Sequence, residues 1–108
     1  DVVLVDLQDL GCRVYTFVTT LRYLLEEAAQ SKKAVWVLDR PNPAGRPVEG
    51  LTLQPGWESF VGAGPMPMRH GRTLGELGDW FVKTLGLEVE YQHVATEGWR
   101  PACSKAGR

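Results

Sequence analysis

The segment DVVLVDLQDLGCRVYTF occupies residues 1–17 and joins an apolar run directly to a polar loop. The apolar run, Val2 to Val5, does not alternate with polar residues, which is typical of a parallel strand covered by helices on both faces. Polar side chains follow at the carboxyl end of this strand, where open α/β sheets bind their ligands. These side chains are Asp6, Gln8, Asp9, Arg13 and Tyr15.

A helix and a second strand follow the polar loop. Apolar residues recur at spacings of three and four from Tyr15 or Thr16 to Gln30, which predicts an amphipathic helix. Ala34 to Leu38 is again apolar throughout and predicts a second buried strand. Because only a few residues join the helix to this strand, we expect one right-handed crossover unit of a parallel sheet.

A long irregular segment runs from Asp39 to Arg72. Its first part, DRPNPAGRPVEG, contains three of the seven prolines and two glycines, so the loop should be stiff. We expect a short helix or turn at Trp57 to Val61 and an extended segment from Pro65 to His70. A connection of this length is uncommon inside a compact domain unless it builds a site or a lid.

The last predicted elements are a helix, a strand and a turn. Thr73 and Glu76 form a capping box, Gly86 ends the helix after about Leu85, and a strand follows from Leu87 to Val94. Apolar and polar residues alternate in that strand, so it should have one wet face or lie near a sheet edge. A turn is expected at Gly98-Trp99-Arg100.

Composition restricts the class of protein. The 108 residues suffice for one domain, and the 44% apolar content is enough for a core. A net charge of −1 without a basic stripe argues against nucleic acid binding. No stretch is long enough for a membrane span. The chain starts at Asp1 against a strand, so we expect it to be a segment of a larger protein.

The candidate site combines polar residues from three segments that should meet at one sheet edge. Arginine clamps carboxylates, asparagine and glutamine bind amides and hydroxyls, and carboxylates supply acid and base groups. The set therefore predicts a polar ligand with hydroxyl, amide and acid groups. Its members are Gln8, Asp9, Arg13, Tyr15, Arg40, Asn42, Glu49, Arg69 and His70.

Each of these residues also has a structural interpretation. Asp9 could cap backbone donors, and Arg13 and Arg40 could pair with Asp6, Asp9 or Asp39 to brace the loops. Tyr15 suits packing better than catalysis, and Arg69-His70 could be a hydrogen-bond node. We interpret His93 as an ordinary strand residue, and Thr73 with Glu76 as capping groups.

Other chemistries lack a motif. No dinucleotide or nucleoside triphosphate fingerprint is present, the two histidines lack the spacing of a local metal site, and no nucleophile elbow occurs. We therefore predict no cofactor and no metal. Cys12 is better interpreted as a small buried thiol than as a nucleophile, and a disulfide with Cys103 stays open.

The conjunction of several blocks resembles the YbbC family, whose characterised members are exo-acting β-N-acetylmuramidases of the NamZ type. The resemblance covers residues 1 to about 100. The blocks are DLQDLG at 6–11 with Arg13 and Tyr15-Thr16, LDRPNP at 38–43, VEG at 48–50, FVG at 60–62, PMRHG at 67–71, TLGEL at 73–77, and GWR at 98–100.

The resemblance implies a Rossmann-like, mostly parallel α/β sheet with flanking helices, here a partial domain. Residues 1–100 would be part of the amino-terminal domain of a two-domain protein, and residues 101–108 a divergent tail. The active site would lie between the two domains. A Glu-His-Gly motif upstream of this chain would supply the catalytic glutamate, so no catalytic residue is assigned here.

The resemblance further implies release of N-acetylmuramic acid from non-reducing ends of peptidoglycan fragments. The partners would be muramic acid saccharides and the remainder of the parent chain, and an extracytoplasmic or secreted location suits the family. Arg13, Arg40 or Arg69 would hold the lactyl acid, while Asn42 or Gln8 would meet the acetamido group. The alternatives are a non-catalytic sugar-binding module and an unrelated phosphate- or nucleotide-binding α/β domain.

Overall fold

The protein has an α/β architecture, confirming the fold class predicted from the sequence. The computed structural model describes residues 1–95. The elements in chain order are β1 (Val2–Val5), α1 (Phe17–Ser31), β2 (Ala34–Leu38), β3 (Glu49–Thr52), β4 (Pro67–Arg69), α2 (Leu74–Leu85) and β5 (Tyr91–Val94).

The central sheet is parallel and has the order β1-β2-β5. Val3 pairs in register with Val35, and Val35 pairs with Tyr91. The predicted strand, helix and strand unit at the start of the chain is therefore confirmed, and β2 is the central strand.

Both helices pack on one face of this sheet. Val35 and Val37 of β2 are fully buried in a core that includes Leu21 of α1 and Leu77 and Phe81 of α2. The two helices also contact each other. Since the chain moves from β1 to β2 to β5 in a constant direction, right-handed crossovers place both helices on the same side.

The opposite face of the sheet is open, so the prediction that β1 is covered on both sides is wrong for residues 1–95. Val2 and Leu4 are 48% and 60% exposed, whereas Val5 is 5% exposed. The apolar run in β1 gave no hint of this difference, because apolar residues occupy its covered and its open face alike.

The long segment after β2 contains a two-stranded antiparallel sheet formed by β3 and β4. The extended segment expected at Pro65 to His70 includes β4, and Trp57 to Val61 contains turns and a Ser59 to Gly62 bridge rather than a helix. Strand β3 was not predicted. All four of its residues are exposed, so it has no apolar alternation that would mark a strand.

The end of the described chain follows the sequence interpretation closely. Thr73 and Glu76 form the predicted capping box, and Gly86 ends α2 with φ +63°. Strand β5 starts at Tyr91 rather than Leu87 and lies at the sheet edge, with alternating burial as predicted. The Gly98 to Arg100 turn, Cys103 and the tail at 101–108 lie outside the described residues. Within residues 1–95, no helix has the length and apolar character needed to cross a bilayer.

Candidate functional site

The loops after β1 and β2 meet at the carboxyl edge of the parallel sheet. Gln8 connects them, because its Nε2 donates hydrogen bonds to Asp9 O at 2.7 Å and to Pro41 O at 3.1 Å. The two strands run in the same direction, so the polar residues that follow them reach the same edge. We call this edge, with the segment 69–72 that packs on it, the rim.

Asp9 and His70 form a buried pair at the centre of the rim. Their exposed fractions are 4% and 3%, and His70 Nε2 lies 3.0 Å from Asp9 Oδ2. The same carboxylate oxygen accepts a 3.0 Å hydrogen bond from Gly11 N, so Asp9 both braces its own loop and binds the imidazole. Gly11 has φ +87°, and a side chain there would collide with Asn42.

The hydrogen bonds of His70 indicate its tautomer. Arg72 N donates to His70 Nδ1 at 3.2 Å, so Nδ1 carries the lone pair. The proton of the neutral ring is then on Nε2, from which it is donated to Asp9. The pair consequently consists of a carboxylate acceptor and a neutral imidazole donor.

Asn42 completes this buried group, and both polar atoms of its side chain have a hydrogen-bond partner. Asn42 Nδ2 donates to Arg72 O at 2.8 Å, and Asn42 Oδ1 accepts from Ala44 N at 2.8 Å. Asp9 Oδ1 is buried and has no hydrogen-bond partner in the part of the chain that the structure describes. We refer to Asp9, Asn42 and His70 as the buried node.

The candidate arginines bind protein oxygens. Arg13 Nη1 donates to Leu51 O and Met66 O at 2.8 and 2.7 Å, so it pairs with carbonyls rather than with the aspartates considered above. Arg40 Nε lies 2.8 Å from Asp6 Oδ1, as that alternative predicted, and this hydrogen bond raises the pKa of Arg40.

Arg69 braces the loop above the rim. Its Nη1 lies 2.9 Å from Glu49 Oε1, and its Nη2 donates to Ala44 O at 2.8 Å. Arg69 and Glu49 therefore tie β4 to β3 and to the proline-rich loop. Arg69 and Glu49 both belong to the candidate site predicted from the sequence. The contact between them supports a structural role for the two residues.

Two further residues of the polar loop pack rather than converge on the node. The rings of Tyr15 and Phe17 meet edge to face at 5.2 Å, in line with the packing interpretation. Cys12 Sγ lies 3.4 Å from Met68 Sδ, an apolar neighbour that does not activate a thiol.

The sequence interpretation missed the ion pair between Arg46 and Glu76. Arg46 Nη1 and Nη2 lie 2.5 and 3.0 Å from the two carboxylate oxygens of Glu76. The hydrogen bond with Arg46 lowers the pKa of Glu76, with a further contribution from the Thr73 amide. Glu76 thus performs its predicted capping role and also anchors the proline-rich loop. No local motif marks Arg46, because 30 positions separate the two residues.

His93 also has more partners than the sequence indicated. Its Nε2 lies 3.1 Å from Asp79 Oδ2 and its Nδ1 lies 3.6 Å from Asp39 Oδ2. Asp39 caps α2 by accepting from Gly75 N at 2.9 Å and Thr73 Oγ1 at 2.7 Å. This group connects the ends of β2 and β5 to the first turn of α2.

An open pocket of about 590 Å³ lies beside the buried node. It combines cationic, acidic and aromatic side chains and borders α2. Its lining residues are Arg46, Val48, His70, Gly71, Arg72, Glu76, Asp79, Trp80 and Lys83.

A second pocket of about 450 Å³ is lined by Arg13 and residues of the β3 to Gly62 segment. Across residues 1–95, no three His, Cys, Asp or Glu side chains are grouped as a metal site.

Comparison with known sequences and structures identifies the family of this chain. The profile of the family described as "Exo-beta-N-acetylmuramidase NamZ, N-terminal" matches residues 1–105. The peptidoglycan beta-N-acetylmuramidase NamZ of Bacillus subtilis (strain 168) is 40% identical over 101 residues, which cover 93% of this chain and 24% of that protein.

Two crystal structures of DUF1343 family proteins from Bacteroides fragilis NCTC 9343 also match. One has a TM-score of 0.89 and 35% identity over 94% of this chain and 27% of its own. The other has a TM-score of 0.81 and 33% identity over 92% and 29%. The chain thus spans about a quarter of the length of these relatives. With the profile match over nearly all of its length, the chain belongs to the NamZ amino-terminal family.

Proposed function

We propose that the rim forms part of the substrate site of an exo-acting peptidoglycan β-N-acetylmuramidase. The observation that carries this proposal is the convergence of three of the predicted polar residues, Asp9, Asn42 and His70. Asp9 and His70 are 61 positions apart in sequence and meet at 3.0 Å, and Asn42 joins them through Arg72. The similarity to the B. subtilis enzyme supports the choice of substrate class.

The chemistry of the rim suits a muramic acid saccharide. This sugar carries a lactyl carboxylate, an acetamido group and hydroxyls, for which arginine, amide and carboxylate side chains are complementary partners. Glycoside hydrolysis generally uses a pair of carboxylic acids at the scissile bond. Asp9 is buried against His70, so we assign it a positioning role and leave the acid to the glutamate of the upstream motif.

The proposal extends to the organisation of the parent protein. Residues 1–100 would form part of a Rossmann-like amino-terminal domain, with residues 101–108 as a divergent tail. The remainder of the polypeptide would contribute the catalytic glutamate and the second wall of the cleft. The reaction would release N-acetylmuramic acid from the non-reducing ends of peptidoglycan fragments.

A graft tests this function. Residues 1–101 of this chain replace the matching quarter of the B. subtilis enzyme, and hydrolysis of a chromogenic β-N-acetylmuramide is measured. We expect turnover by the graft and its loss in the graft with Asp9→Ala. The graft with Glu88→Gln, an exposed acid before β5, serves as control and should keep full activity.

The second candidate is a non-catalytic peptidoglycan-binding module. It is favoured by the burial of Asp9 against His70, which leaves this carboxylate to brace the fold rather than to act as an acid. A folded graft that binds N-acetylmuramic acid without cleaving the chromogenic substrate would support this module and overturn the enzyme proposal.

A further inference from the structure

The cations that the sequence suggested for carboxylate binding are occupied in the folded chain. Arg13 and Arg69 each use two hydrogen bonds to hold the loop and the β3/β4 pair, and Arg40 pairs with Asp6. A carboxylate ligand at any of these arginines would compete with the protein oxygen that the guanidinium already binds. An arginine of the rim that keeps its donors available is therefore a better anion receptor.

Arg72 meets this requirement. It is exposed, it lines the 590 Å³ pocket beside the buried node, and no carboxylate within residues 1–95 lies at ion-pair distance from it. Its guanidinium carbon lies 6.0 Å from the centre of the Trp80 ring. A guanidinium over an aromatic ring at this distance is attracted to the ring face, and its N–H donors stay free for a carboxylate.

The buried node holds the backbone of Arg72 from both sides. Arg72 N donates to His70 Nδ1 at 3.2 Å, and Arg72 O accepts from Asn42 Nδ2 at 2.8 Å. Asp9 in turn fixes the ring of His70. The buried node therefore positions a residue whose side chain is exposed at the pocket, although the node itself is closed to solvent.

The acids in the same pocket have other partners. Glu76 pairs with Arg46, and Asp79 lies 3.1 Å from His93 Nε2. The lining has three cationic side chains, Arg46, Arg72 and Lys83, against the two acids. A carboxylate ligand would thus meet an excess of positive charge beside an aromatic wall.

We propose that Arg72 is the residue that recognises the carboxylate of an acidic amino sugar, with Trp80 packing beneath its guanidinium. The identity of the ligand as a muramic acid saccharide rests on the function proposed above. The availability of Arg72 and its positioning by His70 and Asn42 are properties of the described structure alone.

A titration of the 108-residue chain tests the proposal directly. N-acetylmuramic acid is added while the indole N–H signals are followed by NMR, with N-acetylglucosamine, which lacks the lactyl acid, as the second ligand. We expect the Trp80 signal to shift with N-acetylmuramic acid and the Trp36 signal, from β2, to stay unchanged. Arg72→Gln should weaken binding about tenfold or more, as expected for loss of one charge-assisted hydrogen-bond pair.

Control variants separate this effect from a general loss of charge or fold. Lys33→Gln removes one positive charge at the opposite end of β2 and should leave the affinity unchanged. Arg72→Lys keeps the charge without the planar fork and should bind with intermediate affinity. Equal affinities of the unmodified chain and Arg72→Gln, an unresponsive Trp80 signal, or equal binding of both sugars would overturn the assignment.

The graft distinguishes this inference from the proposed function. An active graft whose KM is unaffected by Arg72→Gln would disprove the role of Arg72 and retain the enzyme. An inactive, folded graft, together with an Arg72-dependent shift of Trp80, would retain the carboxylate site and disprove the hydrolase.

Discussion

Tyr91 of β5 lies across α2 at Gly75 and Gly78. Its hydroxyl donates a 2.6 Å hydrogen bond to Gly75 O, and its ring occupies the space that a side chain at position 78 would need. Burial raises the pKa of Tyr91 far above its usual range, so the hydroxyl stays a neutral donor. The two glycines thus allow the helix to approach the edge strand closely.

Gly78→Ala should destabilise the chain. Alanine favours helix by about 1 kcal/mol over glycine, but forcing a methyl group against the Tyr91 ring costs about 1–3 kcal/mol or more. We expect a lower free energy of unfolding in urea. Thr84→Ala, at an exposed position of the same helix, should be close to neutral, and Gly78→Ala should become harmless when Tyr91 is also alanine. A stabilised single variant would disprove the close approach.

His70→Ala should cost about 2–3 kcal/mol, because it leaves a buried carboxylate with a single amide partner. The double variant with Asp9→Ala should lose less than the sum of the single variants, since the pair is then removed as a unit. Urea denaturation measures both effects, and the Arg72 amide signal in NMR should move in His70→Ala. His93→Ala, at a half-buried histidine, is the matched control for that signal. Strict additivity would show that Asp9 and His70 are not coupled.

Acid should weaken the bond between Arg46 and Glu76. The folded pKa of Glu76 lies below its ordinary value of 4.5, so the pair stabilises the fold above that pH and is lost as the pH falls through the folded pKa. Because both side chains are about one-third exposed, we expect at most about 1 kcal/mol.

Glu76→Gln tests this directly, since glutamine retains the capping hydrogen bond without the charge. The difference in unfolding free energy from the unmodified chain should be present at neutral pH and shrink as the pH falls below 4.5, the ordinary pKa of the carboxyl. Glu88→Gln should show no such pH dependence. A difference that persists at low pH would mean that the ion pair is not its source.

Lysine substitutions at two adjacent residues of β1 should differ in their effect on the free energy of unfolding. Leu4 faces the open side of the sheet, and Val5 faces the helices. Leu4→Lys should change the free energy of unfolding by about 0.5 kcal/mol or less and reduce binding of an apolar dye. Val5→Lys should unfold the chain, because it buries an unpaired charge. Similar effects at both positions would contradict the one-sided packing.

The regular elements were predictable because each carries its own local signal. The capping box at Thr73 and the three-and-four spacing in α1 fixed both helices within a residue or two. The open face of β1 had no such signal, since its cause is the direction in which the chain crosses from strand to strand. Strand β3 was missed because an exposed two-stranded pair needs no apolar alternation.

The sequence predicted the position of the candidate site in the fold better than it predicted the contacts of the individual residues. The rule that loops gather at the carboxyl edge of parallel strands predicts that Asp9 and Asn42 lie close together, and His70, which follows the antiparallel strand β4, joins them there. This rule could not show which arginines bind oxygen atoms of the protein in the folded chain. Arg72 and Arg46 were overlooked because their importance depends on partners that are distant in sequence.

The hydrogen bond between Thr73 Oγ1 and Asp39 Oδ2, 2.7 Å long, joins residues 34 positions apart. The segment of residues 40–72 therefore begins and ends at neighbouring points of the fold, where β2 ends and α2 begins. Ala63 and Met66 of this segment are buried in the hydrophobic core, so any replacement of the segment as a unit would have to supply equivalent apolar side chains at these two positions.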